Sequence, residues 1–349
     1  MTVRVGVNGF GRIGRSFFRA ILAQGEGDVE LVAVNDPFGD PEVMAHLLKY
    51  DSVAGVLPQD VKWTNDGFSV DGQPVQKLSE RHPQNENPGP IPWGDLGVDV
   101  VVESTGFFTA RAKAAGHLDN GAKKVIISAP SADADLMVVL GVNDSVYDPS
   151  KHDVLSNASC TTNCLAPMAR ILLDSFGIER GFMLTVHAYT NEQALVDVAQ
   201  VTRSGKPDLR RMRAAALNTI PASTGAAKAI GAVIPELDGK LDGMALRVPV
   251  PDGSITDLTA IISKDASKED INTAFRDAAG SSRYQGILEY TEAPLVSQDI
   301  VGNPHSCVFS ARDTMRNGNI VKILGWYDNE WGYSNRLVDL CRFLGTKGL

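Results

Sequence analysis

The chain has 349 residues, of which 43% are hydrophobic and 21% charged, and 33 Lys and Arg against 42 Asp and Glu give a net charge of −9. This length favours about two domains, and the composition is typical of a globular α/β protein. The acidic balance argues against a general nucleic-acid partner or an anionic membrane surface, and no apolar run approaches the ~18 residues of a membrane span.

A strand, a glycine-rich turn and a helix open the chain. Residues 3–7 are Val-rich and alternate, which predicts a buried strand, and they run directly into a Gly-x-Gly-x-x-Gly sequence. Residues 15–22 have helical spacing, and a second predicted strand, 30–34, ends in Asn35-Asp36. Such glycines permit a tight turn and the close approach of a pyrophosphate to the backbone. The carboxylate of Asp36 can accept hydrogen bonds from the hydroxyls of a ribose. The pattern predicts a dinucleotide site that includes Gly9, Gly11, Gly14 and Asp36.

Two further apolar runs, 98–103 and 124–128, read as parallel strands covered on both faces. Each ends in small or polar residues, the first at Thr105 and the second at Ser128. In open α/β sheets ligands bind at the carboxyl ends of the strands. We therefore expect these two residues beside the same cofactor.

The pattern changes after residue 156, where longer alternating strands mix with helices and predict an α+β layer. The last helical run, 334–344, is expected to pack back on the first domain. The predicted fold class is therefore α/β, a Rossmann-type dinucleotide-binding domain plus an α+β catalytic domain with a mixed or antiparallel sheet. We place the first domain at 1–159, completed by a C-terminal helix within 330–349, and the catalytic domain at 160–329.

Cys160 lies immediately before an amphipathic helical stretch. At a helix N-terminus the dipole and the free N–H groups favour the nucleophilic thiolate, and a nearby imidazolium would lower the thiol pKa further. His187 ends a strand-like run, 181–186, that could present it to the same pocket. The simpler alternative is that Cys160 is a small buried hydrophobe, as lone cysteines usually are. The hydroxyls of Ser159 and Thr161 beside it can hold an oxyanion or a phosphate. Together with Cys160 and His187 they indicate covalent catalysis.

The four cysteines, at 160, 164, 307 and 341, do not form a disulfide framework for a chain of this size. They also lack the spacing of a zinc site, so we expect no metal. The first residues lead straight into a predicted core strand, so we expect no signal peptide and a reducing, cytoplasmic location.

Six motifs in order resemble the phosphorylating glyceraldehyde-3-phosphate dehydrogenase family, and the likeness runs the length of the chain. They occupy 8–14, 46–52, 103–106, 159–164, 221–228 and 326–334. The resemblance implies oxidation of D-glyceraldehyde 3-phosphate to 1,3-bisphosphoglycerate with reduction of NAD, in glycolysis or gluconeogenesis. It also implies that Cys160 forms a hemithioacetal and then a thioester, with His187 as its base.

The resemblance further assigns binding residues. Thr190 and Arg247 match those that hold the substrate's own phosphate. The site for incoming inorganic phosphate is matched by Ser159, Thr161, Arg211, Thr224 and Gly225. Cofactor contacts are matched by Gly9, Gly11, Arg12, Ile13, Gly14, Asp36, Arg81, Thr105, Ser128, Asn329 and Tyr333. The family is typically tetrameric, so a homotetramer is implied.

The chain departs from the family pattern after His187. Glu192 stands where Asp is common, and Asp197-Val198-Ala199 stands where many NAD-using members carry Asp-Leu-Pro. The smaller residues, and a longer loop at 200–207, resemble photosynthetic members that accept NADP. Asp36 opposes this, because its contact with a 2′-phosphate costs about 1–4 kcal/mol at 4 Å. We expect NAD as the cofactor and leave use of NADP open.

Two other functions remain as alternatives. An erythrose-4-phosphate dehydrogenase would lack Thr190 and the Thr-Gly pair at 224–225, both of which this chain has. A nucleotide-binding regulatory protein without catalysis would not need Cys160 and His187.

For Arg247 the alternative is a weak surface ion pair. Arg247 lies in an otherwise apolar strand, where burying a charge without a partner or a ligand is energetically unfavourable.

Overall fold

The computed structural model describes residues 2–25, 27–82, 86–199 and 207–349. Contacts divide the chain into two compact units. The first contains Met1–Val138, Val146–Ala158 and Ser334–Leu349, and the second contains Val139–Ser145 and Ser159–Tyr333. The domain limits expected from the sequence stay a prediction; the contact units differ from them by grouping 139–145, Ser159 and 330–333 with the second unit.

The first unit is built on a largely parallel sheet flanked by helices. Its strands are β1 (Val3–Asn8), β2 (Val29–Asn35), β3 (Tyr50–Asp51), β4 (Gly55–Val56), β5 (Val61–Thr64), β6 (Gly67–Val70), β7 (Gln73–Leu78), β8 (Val100–Glu103), β9 (Lys124–Ile127), β10 (Leu136–Met137) and β11 (Val154–Ser156). Its helices are α1 (Arg12–Gln24), α2 (Pro41–Lys49), α3 (Arg111–Ala114) and α4 (Gly116–Asp119).

Nine of these strands pair in the order β10-β11-β9-β8-β1-β2-β7-β6-β5 within the described residues. The strands from β10 to β7 are parallel, and β5 and β6 join them as antiparallel edge strands. Every residue of β8 and β9 is buried, as expected of parallel strands covered on both faces. The predicted Rossmann-type sheet is therefore confirmed.

The second unit pairs a mixed sheet with helices. Its elements are α5 (Cys160–Phe176), β12 (Arg180–Ala188), β13 (Ile220–Ser223), α6 (Ala226–Val233), β14 (Leu241–Val248), β15 (Ser254–Ile261), α7 (Lys268–Ala279), β16 (Leu288–Thr291), α8 (Ser297–Ile300), β17 (Cys307–Ser310), β18 (Met315–Asn317) and β19 (Ile320–Tyr327). Where the chain is described, the strand order is β13-β14-β12-β15-β19-β17-β16, with β18 paired to β19. The predicted α+β layer is confirmed.

Period-two alternation decides which face of this sheet the helices cover. Along β15 and β19 every second residue is buried, and α5 packs against both strands. Gly325 of β19 makes the close approach possible. A Cβ there would lie 2.6 Å from Sδ of Met168 and 2.7 Å from Sγ of Cys307, and 3.1 Å from Sγ of Cys164. The sulfur atoms therefore occupy the space that a side chain at 325 would need.

The last helix, α9 (Trp331–Thr346), begins where the carboxylate of Asp328 accepts hydrogen bonds from the backbone N–H groups of Glu330 and Trp331. This satisfies donors that a helix N-terminus leaves without an intrahelical partner. Residues 334–349 belong to the first unit, where Gln24 donates a hydrogen bond to Asn335 at 2.8 Å. Among the described helices, none combines the length and apolarity needed to cross a membrane.

Candidate active site

Cys160 is the first residue of α5, and the chain turns sharply to place it there. Ala158, two residues earlier, has a φ of 54°, a left-handed conformation that non-glycine residues rarely adopt. Ser159 caps the helix, since its Oγ accepts a hydrogen bond of 3.0 Å from the N–H of Thr162. The thiol is half-buried and lies at the positive end of a 17-residue helix.

His187 faces this thiol from the end of β12. Its Nε2 lies 3.4 Å from Sγ of Cys160, and its Nδ1 lies 2.7 Å from the carbonyl oxygen of Ala188. Assigning the Nδ1 proton to that carbonyl leaves Nε2 with a lone pair directed at the thiol. The pair has the geometry of a nucleophile and its general base.

Burial controls the ionisation of this pair. It raises the pKa of the Cys160 thiol to about 11, although the Arg247 charge acts in the opposite direction. Burial and the Arg247 charge together lower the pKa of His187 to about 3. Burial therefore opposes the thiolate that the sequence led us to expect, whereas the Arg247 charge and the helix N-terminus favour it. At 3.4 Å, Nε2 of His187 is within reach of the thiol proton.

Arg247 lies beside His187 because β12 and β14 are parallel neighbours and these two residues are in register. Its Nη1 lies 2.9 Å from Nδ1 of His187, and donates to the Ala188 carbonyl at 3.1 Å and to Oγ1 of Thr190 at 3.5 Å. The structure thus brings Cys160, His187, Thr190 and Arg247 together in one chain of contacts. The Arg247 side chain is largely buried, so it is not a surface ion pair.

Glu192 lies between Arg211 and Arg247. Nη1 of Arg211 lies 2.8 Å from Oε1 of Glu192, the same oxygen that lies 3.6 Å from Nη2 of Arg247. Nη2 of Arg211 donates to the carbonyl of Ser223 at 3.5 Å, next to Thr224. Glu192 therefore joins the two guanidinium groups and separates them by a carboxylate.

Thr224 and Gly225 form the start of α6. Oγ1 of Thr224 accepts a hydrogen bond of 3.2 Å from the N–H of Ala226, and Gly225 is the N-cap residue without a side-chain cap. A Cβ on Gly225 would meet no atom within 4 Å, so the space beside it is open. This open helix start lies next to the carbonyl that Arg211 contacts.

Two residues that the sequence did not single out complete the surroundings of Cys160. The hydroxyl of Tyr327 lies 2.9 Å from Oγ1 of Thr161 and 2.7 Å from Oγ1 of Thr185, and its ring meets His187 edge-on at 5.9 Å. Ser254 accepts a hydrogen bond from the N–H of Ala188 and donates to Oδ1 of Asn329 at 2.6 Å. These contacts join positions far apart along the chain, so no local pattern reveals them.

Asn329 and Tyr333 are both nearly buried, at 5% exposure each. The Ser254 contact fixes the carbonyl side of the Asn329 amide, which leaves its Nδ2 as the group that can orient a ligand. Both residues belong to the second unit together with Cys160.

The glycine-rich turn of the first unit has the shape that a pyrophosphate requires. Gly9 has a φ of +94°, and a Cβ there would lie 2.7 Å from the N–H nitrogen of Thr105. At Gly14 it would lie 2.4 Å from the Gly9 carbonyl, whereas beside Gly11 nothing lies within 4 Å. Gly11 caps α1 without a side-chain hydrogen bond, so the helix begins beside open space, and a helix N-terminus favours an anion. The turn therefore fits a dinucleotide, with Ile13 in the first turn of the helix.

Asp36 follows β2 and holds this turn. Its Oδ2 accepts from the N–H of Phe10 and its Oδ1 from the N–H of Phe38, both at 2.9 Å. Arg81 stacks over the Phe38 ring with 6.0 Å between guanidinium carbon and ring centroid. Carboxylate and guanidinium thus flank the same short turn after β2.

The other predicted cofactor residues lie at the start of α1 and at the ends of two neighbouring strands. Arg12 forms a two-bond ion pair with Asp51, at 3.0 and 3.3 Å. Thr105 follows β8, and the N–H of Ser128 donates to the Glu103 carbonyl at 3.0 Å, which aligns the ends of β8 and β9. In the described part of the chain no group of His, Cys, Asp and Glu side chains forms a metal site.

The segment that departs from the family pattern is only partly described. Asp197 accepts hydrogen bonds from Arg213 and, at 2.9 Å, from the N–H of Ala214, and Val198 is 54% exposed. Residues 200–206 of the longer loop lie outside the described residues. Use of NADP through this segment therefore stays a prediction.

Comparisons with known proteins agree with this arrangement. Residues 3–111 match the family model of the glyceraldehyde 3-phosphate dehydrogenase NAD binding domain, and residues 159–329 match that of the glyceraldehyde 3-phosphate dehydrogenase C-terminal domain. Glyceraldehyde-3-phosphate dehydrogenase 2 of Streptomyces avermitilis is 57% identical over 348 residues, which cover 99% of this chain and 100% of the relative. Glyceraldehyde-3-phosphate dehydrogenase of Mycobacterium avium is 60% identical, covering 99% of each chain.

Proposed function

This chain belongs to the glyceraldehyde-3-phosphate dehydrogenase family, and we propose that it oxidises D-glyceraldehyde 3-phosphate to 1,3-bisphosphoglycerate with inorganic phosphate and NAD. The observation that carries the proposal is the Cys160–His187 pair, 3.4 Å apart at a helix N-terminus and backed by Arg247. The reaction belongs to glycolysis and, in reverse, to gluconeogenesis.

The first step is attack on the aldehyde. The Cys160 thiol gives its proton to Nε2 of His187 while Sγ forms a bond to the carbonyl carbon. The carbonyl oxygen becomes an alkoxide and takes the proton back from His187, which yields a hemithioacetal. We assign stabilisation of the alkoxide charge to the backbone N–H of Cys160 together with His187.

The second step converts the hemithioacetal into a thioester. Nε2 of His187 removes the hydroxyl proton as the C–H bond breaks. NAD, when bound, supplies the acceptor for the hydride. An oxygen of inorganic phosphate then forms a bond to the thioester carbon, the C–S bond breaks, and the acyl phosphate leaves Cys160.

Two phosphate positions follow from the two guanidinium groups. We assign Arg247 and Thr190 to the phosphate of the substrate. We assign Arg211, with Ser159, Thr161, Thr224 and Gly225, to the incoming phosphate. Because Glu192 contacts both guanidinium groups, a bound phosphate must compete with this carboxylate for each of them.

NAD is the cofactor of the family model that matches the first unit. The open helix start at Gly11 fits the pyrophosphate, and the carboxylate of Asp36 fits a ribose hydroxyl. We further assign cofactor contacts to Gly9, Arg12, Ile13, Gly14, Arg81, Thr105, Ser128, Asn329 and Tyr333. Asp36 also disfavours a 2′-phosphate, which supports NAD over NADP.

The assembly is proposed to be a homotetramer in the cytoplasm. Large apolar side chains are exposed on the sheet of the second unit, with Phe182 at 73% and Met244 at 43%. The segment after His187 adds Leu195 at 83%, and such surface usually marks an interface. A reducing compartment suits the chain, since its four cysteines are free thiols and Cys160 must be reduced to act.

The test is the initial rate of NADH formation from glyceraldehyde 3-phosphate, with and without phosphate, next to the same assay with NADP and with erythrose 4-phosphate. We expect phosphate-dependent turnover with NAD and glyceraldehyde 3-phosphate. Faster turnover of erythrose 4-phosphate would favour the related dehydrogenase. Absence of turnover with every combination would favour a nucleotide-binding protein that does not catalyse.

A further inference from the structure

A buried chain of hydrogen bonds runs through the first unit from Trp93 to Glu103. Nε1 of Trp93 donates to Nδ1 of His117 at 3.0 Å, and Nε2 of His117 lies 3.0 Å from Oε2 of Glu103. All three side chains are shielded from solvent. An indole N–H can only donate, so Nδ1 is the accepting nitrogen and the imidazole proton lies on Nε2, facing the carboxylate.

The Glu103 carboxylate accepts several further hydrogen bonds at the end of β8. Its Oε2 accepts from Nδ2 of Asn8 at 2.6 Å, and its Oε1 accepts from the N–H of Thr105 at 2.8 Å and from the Thr105 hydroxyl. A carboxylate that is removed from water needs such donors in place of its hydration. The position of the Thr105 loop therefore depends on where the Glu103 carboxylate is held.

The same carboxylate is connected to the glycine-rich turn. The Ser104 hydroxyl donates to the Gly9 carbonyl at 2.6 Å, and the Thr105 backbone leaves no room for a Cβ on Gly9. Asn8, which Glu103 binds, accepts at Oδ1 from Nδ2 of Asn35, the residue before Asp36. One carboxylate thus links three segments that the proposed cofactor site uses.

We propose that His117 and Trp93 are positioning residues for cofactor binding, which hold Glu103 and through it the Gly9 turn and the Thr105 loop in the arrangement that receives NAD. His117 acts through Glu103, and Trp93 acts through His117 by fixing which imidazole nitrogen carries the proton. This inference rests on the proposed NAD-dependent function.

The test compares His117→Phe, which keeps a ring but removes the donor, with His117→Gln, which keeps an N–H donor on a side chain of similar reach. We expect His117→Phe to raise the Kd for NAD about tenfold, since a hydrogen bond to a charged group is lost. His117→Gln should stay within about threefold of the wild type. Calorimetric titration of the full-length protein with NAD measures both values.

Two controls distinguish a specific effect on NAD binding from a general loss of stability. One measures properties of the second unit, and the other is a destabilising substitution elsewhere in the same sheet. The KM for glyceraldehyde 3-phosphate and the rate of Cys160 alkylation should stay unchanged in both variants. Ile126→Val trims the buried strand β9 of the same sheet, so it lowers stability without touching the Glu103 contacts. It should leave the Kd for NAD unchanged.

Trp93→Phe provides a second route if His117→Phe does not fold. It removes the donor to Nδ1, so His117 can carry its proton on either nitrogen, and we expect the Kd for NAD to rise about threefold. Wild-type affinity for NAD in a folded His117→Phe or Trp93→Phe variant overturns this inference and leaves the proposed function unaffected. Failure of the wild type to bind NAD overturns the proposed function and the inference with it.

Discussion

At the scale of single residues, burial and geometry act on Cys160 and His187 in opposite directions. Burial raises the pKa of the thiol and lowers that of the imidazole, whereas the 3.4 Å between Sγ and Nε2 allows proton transfer from one to the other. The resulting thiolate and imidazolium attract each other, which offsets part of their desolvation.

The first prediction concerns Cys160→Ser. A serine hydroxyl is a far weaker nucleophile than a thiol, so turnover should fall by about 1,000-fold or more while the Kd for NAD stays unchanged. Initial rates and calorimetric titration measure the two quantities. Cys164→Ala, one helical turn further along α5, is the matched control and should keep turnover of the wild-type order. Substantial turnover by Cys160→Ser would contradict the covalent mechanism.

Asp252 carries a second consequence of burial. Burial, the charge of Asp328 and a hydrogen bond with Asp328 raise the pKa of Asp252 well above its usual value of 3.8. Above pH 3.8 the unfolded chain has released this proton while the folded chain retains it. The free energy of unfolding of the wild type therefore falls as pH rises through this range, by at most about 1.4 kcal/mol per pH unit.

The second prediction is that Asp252→Asn becomes increasingly stabilising as pH rises. Asn has no proton to retain and keeps an N–H donor for Asp328. Urea unfolding of wild type and variant at about pH 5, 6.5 and 8 should show a difference in the free energy of unfolding that grows with pH. Asp66→Asn, at an exposed position, should show a constant difference. Parallel curves for wild type and Asp252→Asn would contradict the prediction.

At the scale of elements, the turn between β2 and α2 decides which dinucleotide fits. Asp36 binds the backbone of the glycine-rich turn and of Phe38 through its two oxygens, so its charge is fixed in place. A 2′-phosphate on the adenosine ribose would meet this charge directly.

The third prediction follows from that charge. Asp36→Asn should raise the ratio of kcat/KM for NADP to that for NAD by about tenfold, since the like-charge contact is removed. Asp40→Asn is the matched control, because it removes the same charge from a nearby position while Asn still caps α2. Its ratio should equal that of the wild type. An unchanged ratio in Asp36→Asn would place cofactor selection elsewhere.

Sequence periodicity predicted most elements near the proposed site. The strand predicted at 3–7 is β1 at 3–8, and the run predicted at 124–128 contains β9 at 124–127. The strands β5–β7, which lie at one side of the sheet, were missed because they are short and β5 is mostly exposed, so they lack a long apolar alternation. The contact of Tyr327 with Thr161 joins residues 166 positions apart, and only the folded sheet brings them together.

At the scale of the whole molecule, the sheet of the second unit exposes large apolar side chains on the face that its own helices leave uncovered. Phe182 on β12 and Met244 on β14 point to this face. Burial of such side chains stabilises an interface by about 25 cal/mol for each Å² of apolar surface. This is the physical basis of the proposed tetramer.

The fourth prediction is that Phe182→Glu weakens assembly. Light scattering of the wild type should give about four times the 37.4 kDa of one chain, and the variant should give a smaller mass because a charge cannot be buried unpaired. Trp63→Glu, an exposed apolar position on β5, is the control and should keep the wild-type mass. A wild-type mass for Phe182→Glu would exclude this face from the interface.

The four thiols differ sharply in access. Cys164 and Cys307 lie with Met168 around Gly325, and Cys341 is enclosed as well, whereas Cys160 is half-buried. A folded sample therefore consumes one equivalent of an alkylating reagent per chain, and that stoichiometry counts active sites directly. Any consumption beyond one equivalent reports opening of the interior that encloses the other three thiols.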